Sequence, residues 1–226
     1  MSPQSGCTPS PCTTTTPPFR GPDGSVRIAN TRGRAAVVRY TGSPTTAQHV
    51  ADDLGDAVSI ILDGGACAVG IESTIVAFTG EEPALLRPGG IDVAEISHVL
   101  GRLPRAPDAG APRASGTLAS HYAPRTSATL VASTALRAEL AQFTGRDEDV
   151  AVLARTVVRP DDFTGAWVRA PADLAGYAHD LYANLRALDA ANADTILIEA
   201  VPEDDAWLAV RDRLSRATRG EDDDRD

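Results

Sequence analysis

The chain has 226 residues, enough for one medium domain or two small ones, and 42% are hydrophobic but only 4% aromatic, which indicates a globular core built from Ala, Val, Leu and Ile. A formal net charge of −10, with every positive charge an arginine and no lysine anywhere, argues against non-specific nucleic-acid binding; direct tRNA or double-stranded RNA contact would need a local basic patch. No run is long and apolar enough to suggest a membrane-spanning helix, and Cys7, Cys12 and Cys67 show no metal-ligand spacing, so a reducing, cytoplasmic setting is expected.

Taken in chain order, residues 1–24 form a Thr/Ser/Pro-rich head with four consecutive threonines and no apolar periodicity, expected to be disordered and unlike a secretory signal. Ser43 and Pro44 read as the N-cap and first position of a helix carrying Ala47, Val50, Ala51 and Leu54, ended by Gly55. Residues 58–62 read as a buried strand, 71–78 as a second, and Leu85 with Leu86 as a third. Asp92 and Glu95 mark the start of a helix closing at Gly101. Residues 103–120, rich in Pro, Gly, Ala and Arg, read as a linker.

Beyond the linker the pattern alternates again. Strands are expected at 129–132, 150–153, 166–168 and 195–198. Helices are expected after Ser133 as cap (Leu136, Leu140, Phe143), over 171–190 (Leu174, Tyr177, Leu181, Leu185, Leu188) and over 207–217. This order suggests a small parallel, Rossmann-like sheet. No Gly-x-Gly-x-x-Gly follows its first strand, so no dinucleotide is assigned. The tail, 220–226, is acidic.

The chemistry concentrates in two apolar runs that end in glycine turns: Ile60-Ile61-Leu62-Asp63-Gly64-Gly65 with Val69-Gly70-Ile71-Glu72-Ser73-Thr74-Ile75-Val76, and Leu85-Leu86-Arg87-Pro88-Gly89-Gly90-Ile91. Glycines allow close approach of backbone N–H groups, hydroxyls donate, and Arg87 brings a planar, permanently charged fork for phosphate or carboxylate. The pattern suits a phosphate-bearing small molecule. Taken singly, each element is also an ordinary strand–turn unit. No Ser/His/Asp or Cys/His set points to covalent catalysis.

With Ser43-Pro44-Thr45-Thr46-Ala47-Gln48-His49-Val50 ahead of these runs, His121-Tyr122-Ala123-Pro124 after them, and late stretches at 181–189 and 211–214, the chain resembles the threonylcarbamoyl-AMP synthases in their long form, over roughly residues 43–217. The resemblance implies an α/β chain in which 25–102 is the C-terminal part of a YrdC-like twisted sheet domain. Residues 103–126 are then a linker carrying HYAP, and 127–219 a small Rossmann-like domain. It further implies a transferase of tRNA processing, an ATP-binding nucleotidyltransferase in threonylcarbamoyladenosine biosynthesis. Threonine's amine and bicarbonate give a carbamate that attacks the α-phosphorus of ATP and expels pyrophosphate. Magnesium would arrive with ATP, no tightly bound cofactor is implied, and downstream partners are other tRNA-modification proteins. A carbamoyltransferase sharing a YrdC-like module fits less well, because LLRPGG followed by HYAP resembles the synthase form.

Carried over residue by residue, Ser43, Arg87 and Tyr122 contact ATP and Ser73 binds threonine; no catalytic nucleophile and no metal ligand are assigned. Structural alternatives stay open. Ser43 is also an N-cap, Ser73 can face solvent, Arg87 can pair with Glu81 or Glu82, and His121 and Tyr122 can pack the linker. Two family features are missing. With no lysine there is no Lys-x-Arg pair, and Ala36-Val37-Val38 stands where Ser-x-Asn is expected. With 42 residues ahead of Ser43, most of the family's N-terminal catalytic domain is expected to be lacking. The alternative is therefore a catalytically incomplete fragment acting as a nucleotide- or partner-binding module. A sheet without its first strands should also expose apolar faces and be poorly soluble.

Overall fold

A computed structural model describes residues 43–108, 110–112, 114, 123–143 and 145–219. The expected alternation is present. Helix α1 (Ala47–Leu54) is followed by an antiparallel pair, β1 (Ile75–Ala77) and β2 (Ala84–Arg87), and by α2 (Val93–Leu100). Then come β3 (Ser127–Val131), α3 (Leu136–Phe143), β4 (Val150–Ala154), β5 (Trp167–Arg169), α4 (Leu174–Asp189), β6 (Thr195–Glu199) and α5 (Leu208–Ala217). The last four strands form an all-parallel sheet in the order β3-β6-β4-β5.

β4 is Val-Ala-Val-Leu-Ala, buried at every position, as a parallel strand covered on both faces requires. Its alternate residues feed two cores. Ala151 and Leu153, with Ile196 and Ile198 of β6, meet Tyr177, Leu181, Leu185 and Leu188 of α4 and Val210 and Leu214 of α5. Val150, Val152 and Ala154, with Leu197, meet Leu136 and Leu140 of α3 on the opposite face. Helix α4 starts at Asp173, whose carboxylate accepts from the Gly176 amide at 2.9 Å, and α2 starts at Asp92, which accepts from Glu95 at 2.7 Å. Gly101, left-handed at φ 68°, ends α2.

Three local expectations are corrected. The cap of α1 is Thr46, whose hydroxyl accepts from the His49 amide, and not Ser43, which stands ahead of the helix and turns its hydroxyl elsewhere. Residues 58–62 form no strand; only Leu62 makes an isolated bridge, and Ile60 is 61% exposed. A buried strand needs neighbours on both edges, and none is found beside this segment among the described residues. Ser133 does not cap α3; it donates to the Glu199 carboxylate at 2.9 Å. In the linker, Arg105 accepts from the Leu85 amide and donates to Pro83, both at 2.9 Å, and so extends the edge of β2.

Candidate functional site

β1 and β2 carry the two motif arms. Between Ile75 and Val76 the register slips, so that Ile75 pairs with Arg87 and Val76 with Leu85. Such an irregularity re-aims a side chain at a strand end, and here the residue it affects is Arg87. The guanidinium is buried and donates from Nε and Nη2 to the Ser73 carbonyl at 3.1 and 2.9 Å, and from Nη2 to the Ser73 hydroxyl at 3.3 Å. Ser73 itself is exposed. The structure thus places a fixed positive charge directly behind an accessible hydroxyl.

The turn after Arg87 is pressed onto the other arm. A Cβ on Gly89 would stand 2.4 Å from the Glu72 carbonyl oxygen and from the Thr74 nitrogen, so only glycine fits there. Gly90 N–H donates to the Glu72 carbonyl at 3.0 Å, and Thr74 exchanges hydrogen bonds with the Ile91 backbone at 2.7 and 3.1 Å. The two arms are one rigid, stitched unit.

Three successive residues then fix this unit to the parallel-sheet half. Gly70, at φ 81°, lies against the backbone of α4; a Cβ there would be 2.2 Å from the His179 carbonyl oxygen. Ile71 packs on the larger core. Glu72 turns its carboxylate to Tyr182, which donates at 3.0 and 2.9 Å, and to Arg213 Nε at 3.1 Å. Ser43 donates to the same carboxylate. Burial pushes the Glu72 carboxyl upward, but the Ser43 hydroxyl, Arg213 and Tyr182 outweigh it and hold the group below its ordinary 4.5. A second tie is the paired fork of Arg186 on Asp53, at 2.7 and 2.6 Å.

Ser43, Ser73 and Arg87 are therefore brought to one place, through Glu72 and the stitched arms. Tyr122 lies outside the described residues. Reading the motifs did not single out Glu72, Tyr182 or Arg213. A signal did exist for Arg213: helical spacing puts it with Ala209, Val210, Leu214 and Ala217 on the buried face of α5.

At the carboxyl end of the parallel sheet, where doubly wound folds take ligands, the backbone donors of the turn after β4 are already filled. The Glu199 carboxylate, fully buried, accepts from the amides of Arg155, Thr156 and Val157 at 2.6, 2.8 and 3.1 Å. A cavity of about 500 Å3 lies elsewhere, between α3 and the segment around Phe163, and touches none of the motif residues. Among the described residues no helix is long and apolar enough to cross a membrane, and no His/Cys/Asp/Glu group is arranged to hold a metal ion.

Fold and site together define an α/β chain in which two glycine-turn arms are held in place by a parallel-sheet unit. Two family patterns match it in tandem: Sua5/YciO/YrdC, described as "Telomere recombination", over residues 35–89, and "Threonylcarbamoyl-AMP synthase, C-terminal domain" over residues 91–218. The chain belongs to the threonylcarbamoyl-AMP synthase family. It is 32% identical over 189 residues to the threonylcarbamoyl-AMP synthase of Pyrococcus abyssi, covering 78% of this chain and 54% of the relative. The Bacillus subtilis synthase is also 32% identical over 189 residues, with 79% and 54% covered. The crystal structure of P. abyssi Sua5 complexed with L-threonine superposes with a TM-score of 0.70 at 29% identity, over 80% of this chain and 55% of that one. The chain spans about half the length of the curated relatives it matches.

Proposed function

We propose that the chain contributes the threonine- and nucleotide-facing turns of a threonylcarbamoyl-AMP synthase, which makes threonylcarbamoyl-AMP and pyrophosphate from L-threonine, bicarbonate and ATP for tRNA modification in the cytoplasm. The single observation that carries this reading is the Arg87 guanidinium locked behind the exposed Ser73 hydroxyl. Ser73 hydrogen-bonds threonine. Arg87 supplies positive charge toward the phosphates, and Ser43 stands beside Glu72 on the ATP side. Adenylyl transfer asks a protein mainly for positioning and charge, which this arrangement offers without a nucleophile. Magnesium enters as part of the ATP substrate; Glu72, the carboxylate beside Ser73, is committed to Ser43, Tyr182 and Arg213. In this reading residues 25–102 and 127–219 are the two functional units and 103–126 is the linker from which Tyr122 contacts ATP.

The test is pyrophosphate release by the full chain given ATP, magnesium, threonine and bicarbonate, with Arg87→Ala beside it. Threonine-dependent release is expected, falling about a hundredfold or more in the variant, the usual cost of one lost charge-stabilising contact in such a site. Release that ignores threonine, or that survives Arg87→Ala, sinks the reading. The complete lack of lysine in the chain favours a second reading, a ligand-binding module without turnover. Threonine binding in the absence of pyrophosphate release is its signature.

A further inference from the structure

We infer that Arg213, on the last helix of the parallel-sheet unit, is a positioning residue that fixes the stitched pair of ligand arms, as one body, against that unit; the inference rests on the site reading above. Arg213 is fully buried, yet it sits on the apolar face of α5. Its Nε donates to the Glu72 carboxylate at 3.1 Å and its Nη1 to the Pro88 carbonyl at 2.7 Å. Glu72 immediately precedes Ser73, and Pro88 immediately follows Arg87. One planar fork therefore grips both arms, each one residue away from the group that faces the ligand.

A fork suits this task because its donors are fixed relative to one another; a lysine ammonium in the same place reaches one acceptor at a time. Burial of the charge also needs a reason. A buried ion pair is a weak stabilising device, since the desolvation of both charges offsets most of their attraction, and apolar replacements of similar volume are often neutral or better. In this proposal the pair supplies one geometry in preference to others. Here Asp212 takes a further bond from Nη1 at 2.9 Å, and Tyr182 reaches both oxygens of Glu72, including the one Arg213 holds, so the fork has little freedom to turn. The arms are stitched to each other by Gly90 and Arg87, so a shift at either grip moves Ser73 and Arg87 together.

The experiment uses the full chain, with Arg213→Met, Arg213→Lys and Tyr182→Phe. L-threonine affinity is measured by calorimetry, and amide hydrogen exchange is followed by mass spectrometry. Arg213→Met is expected to weaken threonine binding about tenfold or more and to speed exchange at 72–74 and 88–91, while β3, β4 and β6 stay protected. Arg213→Lys restores part of both, and in a Ser73→Ala background Arg213→Met adds little further loss, because both act through one arm. If Arg213→Met does not fold, Tyr182→Phe carries the test with the same, smaller, pattern. Unchanged exchange in the arms of a folded variant overturns the inference. An unsubstituted chain that binds no threonine overturns the site reading instead. The exchange arm then still decides the grip: faster exchange confined to 72–74 and 88–91 supports it, and no change removes it.

Discussion

Glu199 ends β6 with its charge entirely out of water, and every oxygen of its carboxylate is met by a donor from Ser133 or from residues 155–157. Burial alone pushes the carboxyl upward. The Thr156 hydroxyl and the amides of Val157, Thr156 and Arg155 outweigh it and bring the group from 4.5 to about 2. A depressed acid stabilises the fold when ionised, so this contribution is complete above pH 4.5 and is lost as pH falls from there towards 2. It is worth on the order of 3 kcal/mol. Glu199→Gln is expected to lower stability by about that much at pH 7, and the gap between variant and parent should narrow steadily below pH 4.5. Urea unfolding at pH 7 and at pH 3 measures it; a gap of the same size at both removes the account given for this carboxylate. The same side chain occupies the amides of residues 155–157, donors of the kind a bound phosphate would use.

At the scale of elements, the turn around Gly70 decides how the motif arms meet α4. Gly70→Ala meets two obstacles at once: φ 81°, and a Cβ 2.2 Å from the His179 carbonyl oxygen, which belongs to a helix backbone and cannot step aside. Gly101 is a control for the first obstacle alone, with φ 68° and open space around the added carbon. Gly101→Ala should cost roughly 1 kcal/mol, and Gly70→Ala more than about 2 kcal/mol, read from denaturant midpoints; equal costs would mean the turn does not bear on α4. Much of this level was legible in the sequence. The α4 stripe of Tyr177, Leu181, Leu185 and Leu188 is buried as its periodicity implies, and Asp92 caps α2 through Glu95. What escaped had distant partners. Ser43 and Ser133 look like caps because a serine before a helix usually is one, but each is drawn to a carboxylate far along the chain, Glu72 and Glu199. Residues 58–62 have the composition of a buried strand, but among the described residues no strand lies beside them. The candidate site was half legible. Ser73 and Arg87 stand in the glycine-turn motifs themselves, whereas Tyr182 and Arg213, in the late matching stretches 181–189 and 211–214, meet them only because folding carries α4 and α5 beneath Glu72.

At the scale of the whole molecule, the apolar cores of the described residues are unevenly shared. Both clusters among them belong to the parallel-sheet half, with Ile71 the contribution of the motif arms. Among the described residues ahead of β3, the buried apolar side chains are small or few, Val50, Ala77, Pro83, Ala84 and Pro104, while Ile60, Val69, Phe78, Ile91, Val99 and Leu103 are all more than half exposed. The first half is instead held by polar ties, Asp53 to Arg186 and Glu72 to Arg213 and Tyr182. Regions with few buried apolar contacts open locally at a lower free energy than a core does. Among the described residues, thermolysin, which cuts beside apolar residues, is therefore expected to cleave first within 58–80 and to leave a resistant fragment containing 127–219. The polar ties slow that first cut rather than prevent it, so Arg186→Met should hasten it and leave the fragment's lifetime unchanged. Disappearance of the full chain in one step, without a resistant fragment by mass spectrometry, would mean that the ties bind the halves into one cooperative unit. The exposed side chains also predict that the chain associates with itself as salt is raised, since screening a net charge of −10 removes the repulsion that keeps such surfaces apart. Light scattering across a salt series then separates the two forces: growth with salt follows apolar contact, and dissociation with salt would instead point to pairing between charged faces.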